Sequence, residues 1–379
     1  MLKAALYEGD LAAQAWRSWE TEFGGLRHVL QHPTSAAVKR LLPLLSASQV
    51  KNRIQLPPDL QTILRTALLR EQSRYPVFRQ ATQSALGALR HGDIRFLVLK
   101  GAANAETDYA EPALRHCHDC DLFIERRDLD RARQSLLSAG FREICGADID
   151  KGDSISLAHP NGLPINLHSR LLRFPEYDLN GAGLWNRARK RSICGVEALA
   201  LSPEDALLHV CVHSTTTYSR QFLCWVCDSW MLMAKNRSLD WDQLCRTARE
   251  GRLGLPTIVI FEYLAGELRA PIPETAIDGL RVQASRTPLP SREAALFGLV
   301  AGQELMIRRI VQGIRSLSDA LTLAKWALLP SPAHLRWKYR ITQPWLLPVY
   351  YLLRPLRAVA YRVRRSRSRR PLGGKDEPS

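Results

Sequence analysis

The chain has 379 residues, of which 46% are hydrophobic and 24% charged, and this composition excludes a wholly disordered or collagen-like protein. At about 150 residues per domain, its length predicts two or three domains. The formal net charge is +16, and residues 320–379 hold 13 Lys or Arg against 2 Asp or Glu, which places +11 of the excess there. A basic tail can bind the phosphates of nucleic acid or of lipid headgroups without precise geometry.

The N-terminal region, residues 1–90, is predicted to be helical. Pro57 and Pro58 precede a long amphipathic pattern, and a further helix is predicted over 76–89, before the turn sequence at 91–93. No run of the sequence approaches the roughly 20 apolar residues of a transmembrane span, and the first residues show no signal-peptide core. We therefore expect a cytoplasmic protein.

A compact module of strands and helices is predicted over 91–175. A buried strand over 95–100 runs directly into Gly101 and a helix, and the next strand, over 120–124, alternates in polarity. An Asn-Gly pair at 161–162, between two alternating runs, predicts a hairpin. The other predicted elements are a helix over 129–138, a strand over 141–145 and hairpin strands over 154–159 and 164–168.

The rest of the chain divides into a region over 176–319 that is predicted to be mostly helical and the basic tail over 320–379. The expected fold class is α+β: a small mixed β-sheet module over 91–175 is flanked by the N-terminal helices and by the C-terminal helical region. The predicted C-terminal helices lie over 203–213, 220–234, 241–250, 256–268 and 292–317.

Two aspartates mark the segment with the clearest chemistry. Asp119 and Asp121 are two positions apart at the start of a strand, so both side chains point to one face. Their repulsion favours a divalent cation, and Mg²⁺ prefers carboxylate and phosphate oxygens. Upstream, Gly101 begins a helix whose free N–H groups can bind phosphate, and Lys100 and Arg115 can add positive charge. The set predicts a metal–triphosphate site suited to phosphoryl or nucleotidyl transfer.

This arrangement, a glycine at a helix start followed by Asp-x-Asp on a strand, resembles the polymerase-beta-like nucleotidyltransferase superfamily. More closely, the chain resembles the uncharacterised bacterial nucleotidyltransferase family within it, over about residues 55–360. The resemblance implies a small mixed sheet with flanking helices and a helical extension. The segments that carry it lie at 96–101, 115–124, 139–141, 165–168, 207–213, 225–228, 239–241 and 354–355.

The resemblance also implies an activity, the transfer of a nucleoside monophosphate from an NTP, with ATP expected, to an acceptor in the presence of Mg²⁺ or Mn²⁺. It assigns catalysis and metal binding to Asp119 and Asp121. The acceptor stays open among small molecules, saccharides and peptides. The nucleotide-binding residues that it implies are Lys100, Gly101, Ala102 and Arg115.

Two positions depart from the superfamily pattern. Ala102 stands where the superfamily has a serine, so a hydroxyl for the phosphates is missing. Asn166 stands where we expect the third carboxylate, on a later strand. Either one metal ion suffices, or His168, Asp150 or Asp153 substitutes for that carboxylate, or the protein binds nucleotide without efficient turnover.

Histidine and cysteine pairs raise separate metal hypotheses. His209 and His213 share a helix face and could bind a metal ion or flank a phosphate, but no third ligand lies nearby in the sequence, which favours hydrogen bonding inside the protein. The eight cysteines are expected to be reduced thiols. Two Cys-x-x-Cys pairs, at 117–120 and 224–227, could form a split zinc site, but the apolar neighbours of the second pair favour packing in the core.

Two further hypotheses belong to other functional classes. Asn166 motivates a catalytically weak nucleotide-binding regulator or scaffold. Residues 355–379 motivate an adaptor that binds an anionic membrane surface, or nucleic acid with a steep salt dependence. The tail shows no RNA-binding motif, which favours either lipid binding, and with it peripheral membrane contact of a cytoplasmic protein, or a role in solubility alone.

Overall fold

The computed structural model describes residues 1–31, 36–144, 154–172, 177–179, 181, 183–216, 222–286 and 343–351. The predicted helix over 292–317, most of the basic tail, and Asp150 and Asp153 lie outside these residues. The fold class is α+β, as predicted: helices precede a mixed seven-stranded sheet, and further helices follow it.

Six helices precede the sheet. The last of them, α6, is one continuous helix, whereas the sequence predicts a break before Pro76. The helix continues because Pro76 is exposed, while Leu64 before it and Leu86 after it pack into two different apolar clusters. The helices are α1 (Leu2–Leu6), α2 (Gly9–Phe23), α3 (Gly25–Gln31), α4 (Ala36–Lys39), α5 (Leu42–Lys51) and α6 (Pro58–His91).

The seven strands form one sheet in the order β3-β4-β5-β2-β1-β7-β6. The central strand β2 is antiparallel to β1 and parallel to β5, so the sheet is mixed, as predicted. The predicted hairpin is β4 and β5, and Gly162 in its turn has a φ of +89°. The strands are β1 (Phe96–Leu99), β2 (Cys120–Ile124), β3 (Arg142–Glu143), β4 (Ser154–Ala158), β5 (Pro164–His168), β6 (Arg189–Ile193) and β7 (Val196–Ala200).

The hairpin β6–β7 is not predicted by the sequence, which indicates mostly helix over 176–319. Four of the five residues of the edge strand β6 are exposed, and these are charged or polar, so no alternating apolar pattern marks it. Cys194 and Gly195 turn the chain with φ values of +53° and +79°, the pair of positive angles that a tight hairpin turn requires. The sheet therefore extends beyond residue 175, and the division into four regions stays a prediction.

The sheet separates two apolar clusters. The side chains of β2 on one face of the sheet, those of Cys120, Leu122 and Ile124, belong to one cluster. They pack against α7 (Lys100–Thr107), α8 (Leu129–Ser138) and the C-terminal half of α6. Phe123, on the opposite face of β2, belongs to the cluster formed by the N-terminal helices and the C-terminal helical region. Because side chains alternate along a strand, Asp121 of β2, and Asp119 just before this strand, face this second side.

The C-terminal helices cover the face of the sheet that carries the aspartates. Four of them match predicted helices within a few residues, and α9 and α14 are additional. None of the helices in the described ranges combines the length and apolarity of a membrane span. The helices are α9 (Leu184–Arg187), α10 (Pro203–Thr216), α11 (Phe222–Lys235), α12 (Trp241–Glu250), α13 (Gly254–Gly266) and α14 (Glu274–Arg286).

Replacing Pro76 by alanine is expected to stabilise the protein. Proline inside a helix lacks one ladder N–H and crowds the preceding turn, which costs about 1–3 kcal/mol relative to alanine. The free energy of unfolding, measured by urea denaturation, should rise for Pro76→Ala. Pro58→Ala, in the first turn where proline is tolerated, is the matched control and should change stability little. A lower stability of Pro76→Ala would contradict the prediction.

Candidate active site

The predicted site residues converge where β1 ends and β2 begins. In the antiparallel register Leu99 lies opposite Asp121, so Lys100, the next residue, reaches the aspartate across the strand end. In the parallel register Asp121 lies opposite Asn166 of β5, and His168 follows two residues later on the same face. Neighbouring strands therefore bring charged and polar groups together around Asp121.

Asp121 is 7% exposed, and both of its carboxylate oxygens have partners. The Lys100 ammonium lies 3.0 Å from Oδ2. His168 Nε2 donates to Oδ1 at 2.8 Å, and Asn166 Nδ2 donates to the same oxygen at 3.1 Å. Burial alone would raise the pKa of Asp121, but Lys100 and the His168 hydrogen bond hold it well below its usual range. Asp121 is therefore ionised throughout the physiological pH range.

Asp119 lies on the same face and is half-buried. Its Oδ2 is 3.4 Å from Asn166 Nδ2 and 3.6 Å from His118 Nε2. Burial raises the pKa of Asp119, and the charge of Asp121 raises it further, to about 7. The pair thus consists of one carboxylate that is always charged and one that loses its proton near neutrality, because its negative charge is poorly compensated.

This donor set fits a hard divalent cation. Two carboxylates on one face supply oxygen ligands of the kind that Mg²⁺ and Mn²⁺ prefer, and a cation would compensate the charge of Asp119. Across the described part of the chain, no group of three or more His, Cys, Asp and Glu side chains has the geometry of a complete metal site. The remaining ligands of such a cation would have to come from substrate and water.

The start of α7 offers backbone donors beside the carboxylates. Lys100 has a φ of +51°, in the left-handed region that residues other than glycine rarely adopt, and Gly101 follows it. Ala102 is buried and packs in the apolar cluster beneath α7. It could therefore bind a phosphate through its backbone N–H but not through its side chain. A Cβ at Gly101 would lie 3.4 Å from the Arg115 guanidinium, an ordinary van der Waals distance, so the guanidinium lies close to the backbone at the start of α7.

Arg115, which the resemblance assigns to nucleotide binding, is buried in a tight ion pair with Asp228 of α11. Its Nε and Nη2 donate to the two Asp228 oxygens at 2.9 and 2.8 Å, and its Nη1 donates to the His116 carbonyl. Tyr109 donates a further hydrogen bond to Asp228 at 2.8 Å. These contacts favour a positioning role, in which Arg115 fixes the loop before β2 and supports Gly101 from below.

A second buried network holds the same loop from the other side. Glu71 of α6 is buried and lies 3.0 Å from His116 Nδ1 and 2.9 Å from Arg74 Nη1. Arg74 also donates to the carbonyl of Cys117. The loop that delivers Asp119 is therefore fastened to α6 as well as to α11, which sequence reasoning did not detect.

Arg40 is the cation near the aspartates that sequence reasoning missed. It lies in the turn before α5, and its positive charge is close enough to lower the pKa of Asp119 and of His118. Its Nη1 is buried and finds no hydrogen-bond partner among the described residues. No motif surrounds Arg40, and it precedes Asp119 by 79 residues, so only the folded chain reveals it.

His209 and His213 occupy the floor of the site as neutral side chains. Burial lowers the pKa of His209 to about 3, and burial also holds the pKa of His213 well below its usual value. His209 Nε2 lies 3.0 Å from the carbonyl of Leu171, and His213 packs edge-on against Trp225. This arrangement favours the interpretation as hydrogen-bonded core histidines over that as metal ligands.

The cysteine pairs likewise lie in the core. Cys117, Cys120, Cys224 and Cys227 are buried free thiols. Burial raises the pKa of Cys117 to about 12 and raises that of Cys224 as well, so these thiols stay protonated. These properties favour packing in the core over the split zinc site.

The uncompensated charge of Asp119 predicts a pH-dependent effect of Asp119→Asn on stability. The folded chain holds a proton on Asp119 more tightly than the unfolded chain, so the wild type loses stability as the pH rises from about 4 to about 7. Asparagine does not titrate. With EDTA present, the unfolding free energy of Asp119→Asn minus that of the wild type should therefore increase between pH 5 and pH 8.

The control for this experiment is Asp130→Asn, which removes an exposed carboxylate of α8. Its difference from the wild type should be the same at both pH values. A difference for Asp119→Asn that stays constant, or shrinks, as the pH rises would contradict the inferred charge state.

The family model for an uncharacterised nucleotidyltransferase matches residues 34–266, a range that contains the whole sheet, the aspartate pair and Arg40. No curated protein and no solved structure matches the chain. Since the match covers more than half of its residues, the chain belongs to this uncharacterised nucleotidyltransferase family.

Proposed function

We propose that the protein transfers a nucleoside monophosphate from an NTP, with ATP as the expected donor, to an acceptor. The observation that carries the proposal is the carboxylate pair, Asp119 and Asp121, at the N-terminal end of α7 beside Lys100. Carboxylates, an ammonium group and free helix N–H groups at one point are what a triphosphate and its cation need. Family membership supports the same reaction class.

The roles follow from the contacts. Asp119 and Asp121 would hold the divalent cation, Mg²⁺ or Mn²⁺, whose charge neutralises the triphosphate. The N–H groups of Gly101 and Ala102 would bind phosphate oxygens, and the ammonium of Lys100 lies ready to turn from Asp121 to a phosphate. Asn166 and His168 keep Asp121 oriented through their hydrogen bonds.

In the reaction, an acceptor oxygen would attack the α-phosphorus and form a new P–O bond. The bond to the bridging oxygen of the β-phosphate would break in line with the attack, pyrophosphate would leave, and the proton of the acceptor hydroxyl would pass to water. Positioning and charge neutralisation supply most of the acceleration in such transfers. The residues described above are of the types that perform these two tasks.

Asn166 is the observation that favours a second candidate, a nucleotide-binding protein with weak turnover. Its amide donates to both aspartates and its Oδ1 accepts from Ser156 at 2.8 Å, so an uncharged group occupies the place expected of a third carboxylate. Comparing the wild type with Asn166→Asp separates the candidates. Calorimetric NTP binding without transfer in either form favours the binding protein, and transfer by the wild type favours the enzyme.

Asp121→Asn is expected to abolish transfer while the protein stays folded. Asparagine keeps the shape of the side chain but removes the charge that would hold the cation, and the rate should fall by about a hundredfold or more. Transfer of label from α-³²P-NTP is measured against a panel of small molecules, saccharides and peptides. Asp130→Asn is the matched control, and circular dichroism verifies folding. Transfer by Asp121→Asn at the wild-type rate would contradict the assignment.

Arg40→Gln is expected to weaken NTP binding, because the unpaired guanidinium nitrogen would lose a triphosphate oxygen as its partner. The loss should be about tenfold or more in the dissociation constant, the usual result of removing one charge-assisted hydrogen bond. Calorimetric titrations should show a smaller loss for the corresponding NMP. Lys39→Gln, which alters the exposed neighbouring cation, is the control. Equal losses for NTP and NMP would argue against a contact with the outer phosphates.

A further inference from the structure

A cavity of about 360 Å³ lies next to the candidate active site, between α7, the β6–β7 hairpin, α10 and α11. Its volume is within the range of pockets that hold small molecules. The cavity shares Lys100 and His209 with the site described above. The Lys100 ammonium is 3.0 Å from Asp121. A molecule in the cavity that contacts Lys100 would therefore be separated from the carboxylate pair by the Lys100 side chain alone.

The cavity follows α7 from one end of this helix to the other. Lys100 lines it at the start of the helix and Asp108 lines it just after the last helical residue. Eight residues of α-helix span about 12 Å. The cavity thus has a near end at the reaction centre and a far end at Asp108. Apolar walls, with Leu99, Ala206 and Leu232 among them, lie between polar groups.

Polar groups without partners line the inner part of this cavity. Asn104 is 3% exposed, and its Nδ2 has no hydrogen-bond partner among the described residues. One carboxylate oxygen of Glu106, Oε1, is also buried without a partner, although the carboxylate as a whole accepts hydrogen bonds from the side chain and the backbone of Cys194. Asp108 is buried, with hydrogen bonds from Thr107 at 2.7 Å and from Asn236 at 3.4 Å. Unpaired buried polar groups are costly, so such groups in a cavity indicate a polar ligand.

The carboxylates of Glu106 and Asp108 have no cationic partner within ion-pair distance in the described part of the chain. Burial raises the pKa of Asp108 to about 6, and it raises the pKa of Glu106 as well. Burial is the largest cause of both shifts, and the hydrogen bonds from Thr107 and Asn236 to Asp108 and from Cys194 to Glu106 offset it only in part. An ammonium group of a ligand would compensate the charge of Asp108.

Two cations stand at the far end of the cavity. Arg191 of β6 and Lys235 of α11 line it and are exposed, and neither forms an ion pair with a described residue. Lys235 is next in sequence to Asn236, which contacts Asp108, and the charge of Arg191 lowers the pKa of Asp108. Buried carboxylates and exposed cations therefore meet at the same end. A ligand group that matches both carries an ammonium and a carboxylate close together.

We propose that this cavity binds the acceptor and that the acceptor carries an α-amino-acid head group. Its ammonium meets Asp108, and its carboxylate meets Arg191 and Lys235. The amide of Asn104 donates to a ligand oxygen farther along, and the ligand side chain extends over the apolar walls towards Lys100. The assignment as acceptor rests on the proposed nucleotidyl transfer, whereas binding of the amino acid does not.

Binding is tested on the full chain without NTP, by calorimetric titration with the twenty common amino acids. We expect at least one to bind. The N-acetyl derivative and the carboxamide of that amino acid should each bind about tenfold or more weakly, since each lacks one charged partner. Failure of all twenty to bind, equal binding of the capped derivatives, or displacement of the amino acid by adenosine would overturn the proposal.

Matched variants locate the binding in the cavity. Asp108→Asn and Lys235→Gln should weaken amino-acid binding by about tenfold or more. Asp242→Asn and Arg237→Gln change exposed charges outside the cavity and should bind as the wild type does. Lys235 is itself exposed, so its variant tests the proposal even if Asp108→Asn folds poorly. Unchanged binding by Lys235→Gln contradicts the proposed carboxylate contact.

The two proposals fail in different ways. Amino-acid binding that depends on Lys235, together with no transfer of label from any NTP, would refute the nucleotidyltransferase and leave the head-group site standing. Transfer to an acceptor without an amino group, with no amino-acid binding, would refute the head-group site and leave the nucleotidyltransferase standing.

Discussion

The carboxylate of Asp121 is the group on which the arrangement of the site depends. A buried charge without partners is costly, and here the partners come from both neighbours of β2. Lys100 reaches it from the end of β1, and Asn166 and His168 reach it from β5. All three contacts require the observed strand registers, because a slip of one residue would turn every side chain of β2 to the other face. One charge thereby couples the register of the sheet to the start of α7.

The loop that carries Asp119 into the site is held by a buried ion pair on one side and by a buried carboxylate–imidazole contact on the other. Arg115 ties it to α11 through Asp228, and His116 ties it to α6 through Glu71. Buried pairs contribute little net stability compared with apolar packing, but breaking one is costly, so they select one arrangement over its alternatives. The helices before and after the sheet thus do more than cover it: they set the position of Asp119.

Local patterns in the sequence predicted the parts of the site that lie close together along the chain. The Asp-x-Asp strand and the hairpin β4–β5 follow from alternation and turn chemistry, which need no tertiary information. The edge strand β6 escaped prediction because solvent, rather than a core, faces its side chains. Arg115 was predicted as a cation, but its partner Asp228 lies 113 residues later, and no spacing rule reaches so far. Arg40 was not predicted for the same reason, because it lies 79 residues before Asp119 in the sequence.

Asn166, at the position where the resemblance leads us to expect a third carboxylate, is consistent with the charge balance of the whole site. The Lys100 ammonium compensates Asp121, which leaves Asp119 as the uncompensated negative charge, with Arg40 nearby. On the proposed function, a divalent cation would make this group of charges net positive, as a triphosphate requires. A third carboxylate would cancel part of that positive charge. The amide of Asn166 instead donates to both aspartates. It therefore holds their carboxylates in position without adding a negative charge to the site. On the proposed function, the site has no strong base at this position for the acceptor's proton, and transfer would then depend on an acceptor that the adjoining cavity positions well.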